Sequence, residues 1–105
     1  MLRICDTIVE VLGMLRPVIT AIAEHDRDLA RQLRRAGGSI ALNCAEASGS
    51  SGGTRLERYR NALGSVRETS ACLDVALAWG YVDRLDGVLL DKLDKVKATL
   101  VRNAL

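Results

Sequence analysis

The 105-residue sequence contains no Phe, one Trp, two Tyr, one Pro and one His. Each shortage excludes something. β-Sandwiches and barrels draw on aromatic and β-branched residues broken by frequent turns, and an aromatic share of 3% with a single Pro does not supply them. One His and three widely spaced cysteines, Cys5, Cys44 and Cys72, with no Cys-x-x-Cys, make no zinc-type ligand set. The cysteines fall within helical patterns and are expected as small apolar residues in a reducing cytosol. No run of about 18 uncharged apolar residues occurs, so no membrane span is expected. Asp6 and Glu10 interrupt the opening segment, which therefore does not read as a signal peptide. The expectation is a cytoplasmic chain with no cofactor and no metal.

What is present is aliphatic and helical. Hydrophobic residues make up 49% of the chain and charged residues 27%, too apolar a mixture for disorder. About 100 residues form one domain. Ile4, Ile8, Val11, Leu15, Val18 and Ile22 recur at steps of three and four, the helical period. Pro17 lies in phase with this stripe and predicts a kink near Gly13. Asp26 or Asp28 marks the next start, and Leu29, Leu33, Ala36, Ile40, Asn43 and Ala47 form the second stripe. Residues 48–53, all Gly or Ser, read as a loop. Thr54 and Glu57 have the spacing of a capping box ahead of Leu56, Tyr59, Leu63, Val66, Ser70, Leu73 and Leu77. Gly80 closes that helix. Asp83 or Asp86 opens a fourth, carrying Leu85, Leu89, Leu93, Val96 and Leu100. The spacing predicts helices over about 2–25, 27–48, 55–79 and 84–104, an all-α, up-down-up-down four-helix bundle.

The apolar residues exceed what one bundle core requires. At about 100° per residue, Val75 lies opposite Val66, and Gly64, Ala71, Cys72 and Ala78 flank Val75. On the second helix Leu42 and Ala45 point away from the stripe. A helix apolar on two sides is covered on two sides. These seven residues predict an interface with further copies of the chain.

The formal charge of +2 is too small to imply nucleic-acid binding by itself, but it is unevenly placed. Residues 26–60 hold seven Arg against Asp26, Asp28, Glu46 and Glu57, while the flanking segments are near balance. Arg27, Arg31 and Arg34 or Arg35 step along one helix face, and Arg55 and Arg58 follow the loop. Guanidinium groups suit phosphates or an acidic partner. The plainer alternative is a solvated face with internal pairs such as Asp28 with Arg31. No aromatic residue lies between these Arg, so contact would be to a nucleic-acid backbone rather than to stacked bases.

Asn43 and Glu46 interrupt an apolar stretch. With a hairpin loop centred near Ser51, Glu46 falls opposite 56–58 and Asn43 opposite Tyr59. Arg55, Arg58, Arg60 or Tyr59 is then a partner for the carboxylate. A polar network of Asn43, Glu46, Tyr59, Arg60 and Glu68 that fixes helix register is expected in preference to a catalytic acid. Glu68 is expected to meet an Arg of the same or a neighbouring subunit. His25 reads as a solvent-facing hinge residue. The serines at 48, 50 and 51 have no His–Asp partners for a nucleophile. Residues 49–54 lack the strand and the Gly-Lys-Ser/Thr ending of a phosphate loop.

Residues 32–47 (Gln-Leu-Arg-Arg-Ala-Gly-Gly-Ser-Ile-Ala-Leu-Asn-Cys-Ala-Glu-Ala) and 59–68 (Tyr-Arg-Asn-Ala-Leu-Gly-Ser-Val-Arg-Glu) carry a resemblance. The pair, with the Gly/Ser loop between them, resembles the bacterial four-helix-bundle family of proteins encoded in intervening sequences of 23S rRNA genes. Leu33, Arg34, Arg35, Ala36, Ser39, Asn43, Ala45, Glu46, Gly64, Ser65 and Glu68 match its pattern, and Ala76 to Tyr81 resembles its third-helix end. Ala47 stands where the family usually has Gly. The resemblance implies a ring-like homo-oligomer, a pentamer of four-helix protomers. It also implies kinship with the accessory variability determinant of diversity-generating retroelements, a basic pentamer that binds a reverse transcriptase and nucleic acid. Most members of the family have no defined activity. The expected function is a non-enzymatic interaction module for RNA, DNA or a reverse transcriptase. The alternative is a purely structural assembly.

Overall fold

The structure, a computed structural model, describes residues 3–105. Four helices follow one another: α1 (Ile4–Ala23), α2 (Arg27–Ser48), α3 (Gly52–Ala78) and α4 (Gly87–Asn103). No strand occurs among the described residues. The stripes read from the sequence are the surfaces that meet. Ile8, Val11, Leu15 and Ile22 of α1 are buried with Leu29, Leu33, Ala36, Ile40 and Ala47 of α2. Tyr59, Leu63, Val66 and Leu73 of α3 and Leu89, Leu93, Val96 and Leu100 of α4 complete the core. Each helix packs on two neighbours, in the cyclic order α1, α2, α3, α4. Residue 2, included in the first expected helix, lies outside the described residues.

The connections show how local chemistry sets the ends. Asp26 caps α2 through a 2.9 Å bond from the Leu29 amide, and Asp86 caps α4 through a 2.7 Å bond from Val88. At the end of α3, Gly80 takes φ +74°, the amide of Tyr81 donates to Ala76 and that of Gly80 to Leu77. This pair of bonds is a Schellman closure, which needs a residue able to enter the left-handed region. The Tyr81 hydroxyl approaches Asp26 at 3.4 Å, and its ring stacks on His25 with centroids 5.3 Å apart. His25 is thus exposed at the α1–α2 turn, as expected of a hinge residue, with one ring face covered by Tyr81. Burial, then the charge of Asp26 and the bond to it, raises the Tyr81 phenol above its ordinary range.

Three expectations change. First, α3 begins at Gly52, three residues before its expected start, and the Thr54–Glu57 capping box does not form: Ser51 is the N-cap and makes no side-chain cap bond. Arg55 explains the shift, because its Nε donates to the carbonyls of Ala47 (3.2 Å) and Ser50 (2.8 Å) and draws the first turn of α3 back onto the end of α2. Gly52, at φ +57°, permits the tight entry. Second, the fourth helix begins at Gly87, three residues after its expected start, while α1 runs through Pro17 as one helix, as its in-phase stripe implies. Third, Cys5 and Cys44 are not separate thiols. They form a disulfide between α1 and α2, with Cα atoms 6.1 Å apart and a separation of 39 in sequence. Cys72 remains a free, buried thiol, raised above its ordinary range by burial and then by Glu68.

Among the glycines, Gly37 is the one that α1 approaches most closely. A Cβ there would lie 3.1 Å from Leu12 Cδ2 and 3.3 Å from Leu15 Cδ1. At neighbouring Gly38 a Cβ would meet nothing within 4 Å. Gly38→Ala is therefore expected to stabilise the fold by about 0.5–1 kcal/mol through reduced chain entropy. Gly80→Ala is expected to destabilise it by about 1–2 kcal/mol, since Ala must enter the left-handed region. Urea denaturation of the two variants measures both signs.

Candidate functional site

The outward faces of α2 and α3 form the candidate site. At about 100° per residue, Arg27, Arg31, Arg34 and Arg35 project from one arc of α2, opposite its core stripe. All four are exposed. Between α2 and α3 runs an open cleft of about 560 Å³ lined by Asp28, Arg31, Gln32, Arg35, Ser39, Ser65 and Glu68. It continues past Ser39 to Leu42, Asn43, Glu46 and Arg58.

The six candidate Arg do not serve alike. Arg31 lies 3.7 Å from Asp28, with both side chains largely exposed, a weak pair. Arg58 Nε contacts Glu46 at 3.0 Å. Arg55 is spent on the carbonyls that end α2. Among the described residues, Arg27, Arg34 and Arg35 form no salt bridge.

The expected polar network is divided rather than continuous. Glu46 does find one of its expected partners, Arg58. Asn43, however, turns along its own helix and donates to the Ser39 carbonyl (2.9 Å) and Ser39 Oγ (3.0 Å). Tyr59 is buried in the core, and Arg60 reaches α4, donating to the Ala104 carbonyl at 3.1 Å. Glu68 is exposed in the cleft. The α2–α3 seam is bridged instead by Ser65 Oγ donating to Ser39 Oγ at 2.8 Å, with Thr69, fully buried, donating to the Ser65 carbonyl. The Ser39–Ser65 and Glu46–Arg58 contacts share a midpoint at residue 52, one past the expected centre, so Asn43 falls opposite Asn61 rather than Tyr59. Two serines among helical apolar residues gave little sign of this role.

Of the residues expected at a subunit interface, Leu42 is 66% exposed, and Ala45, Gly64, Ala71, Val75 and Ala78 are also open. Cys72 is not. At 3% exposure it lies in the protomer's own core with Leu73 and Ala76 and cannot meet a partner. The period places it beside Val75, but it belongs to the core cluster that includes Leu29 and Leu33 of α2 and Leu89 and Leu93 of α4. Trp79, Val9 and Val88 are further large apolar residues left open. Leu77, the last member of the α3 stripe, is also partly exposed. Among the described residues no group of three His, Cys, Asp or Glu is placed to hold a metal, and no helix is long and apolar enough to cross a membrane.

The family described as 23S rRNA-intervening sequence protein matches this sequence over residues 15–102, which include all of α2 and α3 and the whole cleft between them. The chain belongs to the 23S rRNA-intervening sequence protein family. A crystal structure of a protein of unknown function from the S23 ribosomal protein family of Bacteroides thetaiotaomicron superposes with a TM-score of 0.71 at 16% identity. The match covers 96% of this chain and 91% of that one, so the four-helix arrangement is shared nearly end to end. No curated protein matches the sequence. Within this family member, the Arg58–Glu46 pair is half exposed on both sides. A double-mutant cycle of Arg58→Ala and Glu46→Ala is expected to give a coupling of about 0.2–1 kcal/mol that shrinks with added salt.

Proposed function

We propose that this chain is a non-enzymatic, cytoplasmic, self-assembling bundle whose Arg-rich α2 face contacts the phosphate backbone of RNA or DNA. The observation that carries the reading is the exposure of Arg27, Arg34 and Arg35 with no carboxylate paired to them among the described residues. Free guanidinium groups on one helix arc can release counterions from a nucleic acid, and repetition of that arc by assembly would multiply the effect. A nucleic-acid enzyme such as a reverse transcriptase is the partner implied by the family resemblance. Self-assembly is supported by exposed Leu42, Ala45, Ala71, Val75 and Ala78, which leave apolar area on both long helices uncovered.

A purely structural assembly is the second reading. It is favoured by Arg55 and Arg58, two of the six candidate Arg, being engaged within the protomer. Filter binding of single-stranded RNA and of duplex DNA separates the two. Binding at low salt is expected to fall steeply between about 50 and 200 mM, with Arg34→Glu plus Arg35→Glu weakening it at least about tenfold. Absence of binding at low salt would leave only the structural reading. Light scattering tests assembly independently: a mass near five times the 11.4 kDa protomer is expected, and a mass near 11.4 kDa would overturn it.

A further inference from the structure

We infer that the Cys5–Cys44 disulfide is a redox-operated latch on the loop end of the bundle. It secures the last turn of α2, and with it the turn that enters α3. The inference does not depend on nucleic-acid binding.

The placement carries the argument. The α1–α2 connection is three residues long and closes one end of the helix pair. The disulfide joins the first turn of α1 to the last full turn of α2 at the opposite end. The two helices are thus tied at both ends, once by the chain and once by sulfur. The end tied by the chain has its own reinforcement in Asp26, Tyr81 and the Gly80 closure. At the end tied by sulfur, the bonds that brace the chain run between α2 and α3, and the disulfide ties that pair to α1. The core at that end packs Ile8, Ile40, Tyr59 and Leu100 around Ala47 and Ala62, and the two cysteines are themselves part of it. Arg3, the N-cap of α1, makes no side-chain cap bond, so the first turn of that helix lacks the brace that Asp26 and Asp86 give α2 and α4.

Cys44 lies directly before the residues that hold the α2–α3 turn. Glu46 pairs with Arg58, the Ala47 carbonyl receives Arg55, and the Glu46 carbonyl receives Ser50 Oγ. When Cys44 is released from Cys5, these contacts lose their anchor to α1. Both sulfurs are enclosed, Cys5 at 6% and Cys44 at 0% exposure, so exchange begins at Cys5 as the first turn of α1 opens.

The co-reactant is a dithiol. One of its thiolates attacks Cys5 Sγ, the Cys5–Cys44 bond breaks, and Cys44 leaves as a thiolate that takes up a proton. The second thiolate of the dithiol then attacks the mixed disulfide and releases Cys5, which is protonated in turn. The dithiol departs as a cyclic disulfide, and the chain gains two S–H groups. Oxidation by the same cyclic disulfide reverses each step. In a reducing compartment a disulfide that persists only under oxidation serves as a sensor more often than as a permanent brace.

The test uses the whole chain equilibrated with oxidised or reduced dithiothreitol. Peptide mapping without reduction is expected to recover Cys5 joined to Cys44, with Cys72 as a free thiol. Reduction is expected to lower the melting temperature by about 10–20 °C, as for a loop of this length released in a small domain. Amide exchange is expected to accelerate at least about tenfold in residues 4–8 and 44–59, and to stay unchanged in residues 79–86. Cys5→Ser plus Cys44→Ser should melt with the reduced protein in either buffer, while Cys72→Ser keeps the full response. Absence of the crosslinked peptide from oxidised protein, equal melting of the two forms, or a uniform rise in exchange along the chain would each overturn the latch. The wild-type comparison decides the matter even if the double variant does not fold.

Discussion

With no Phe to fill space, this bundle must bring its helices close together, and close approach is the constraint from which the rest follows. Small residues line the seams: Ala36, Gly37 and Ala47 on α2, Ala62 and Ala76 on α3, all buried. Leu12 and Leu15 of α1 reach to within contact of the Gly37 backbone. Dispersion between aliphatic side chains falls off within a fraction of an ångström, so such a core holds only if its helices stay near one another. The disulfide between Cys5 and Cys44 serves the same end, since it bridges α1 and α2 within the core cluster that holds Ala47 and Tyr59.

The stripes, the four helices and the caps at Asp26, Asp86 and Gly80 were legible because they rest on local rules: a repeat of three and four, a carboxylate before a helix, a glycine after one. What escaped depends on which residues meet across the bundle. Nothing local distinguishes Cys5 and Cys44, which are bonded, from Cys72, which is not. The Arg55 contacts that draw α3 back by a turn run between a side chain and carbonyls of the preceding helix, and the spacing of Thr54 and Glu57 suggests a cap that this pull makes unnecessary. The same shift moves the hairpin midpoint by one residue. That is enough to replace Tyr59 with Asn61 opposite Asn43 and to give the seam to Ser39 and Ser65.

In the candidate site, sequence reasoning placed the four α2 arginines on one exposed arc and anticipated the Asp28–Arg31 pair and an Arg partner for Glu46, but not the division of labour among the Arg. A count of basic residues treats Arg55, Arg58 and Arg34 as equals. In the fold Arg55 ends a helix, Arg58 answers Glu46, and Arg34 is exposed with no salt bridge among the described residues. Electrostatic character at this surface therefore comes from fewer groups than the local charge excess implies.

The faces of α2 explain why charge and apolar exposure coincide there. Taking roughly 100° per residue, Leu29, Leu33, Ala36, Ile40 and Ala47 cluster toward the core, Gly37 and Ala30 toward α1, and Gln32, Ser39 and Asn43 toward α3. The one arc that remains holds Arg27, Arg31, Arg34 and Arg35 together with Leu42 and Ala45. Leu42 and Arg34 share a single shallow cleft. Any partner that covers Leu42 must then meet a guanidinium group, and any anion drawn to Arg34 lies against apolar surface. Apolar association and charge recognition on this helix are not independent surfaces that could evolve or be blocked one at a time. A second copy of the chain seated on this arc would have to offer carboxylates beside its apolar residues, or leave the arginines at its rim.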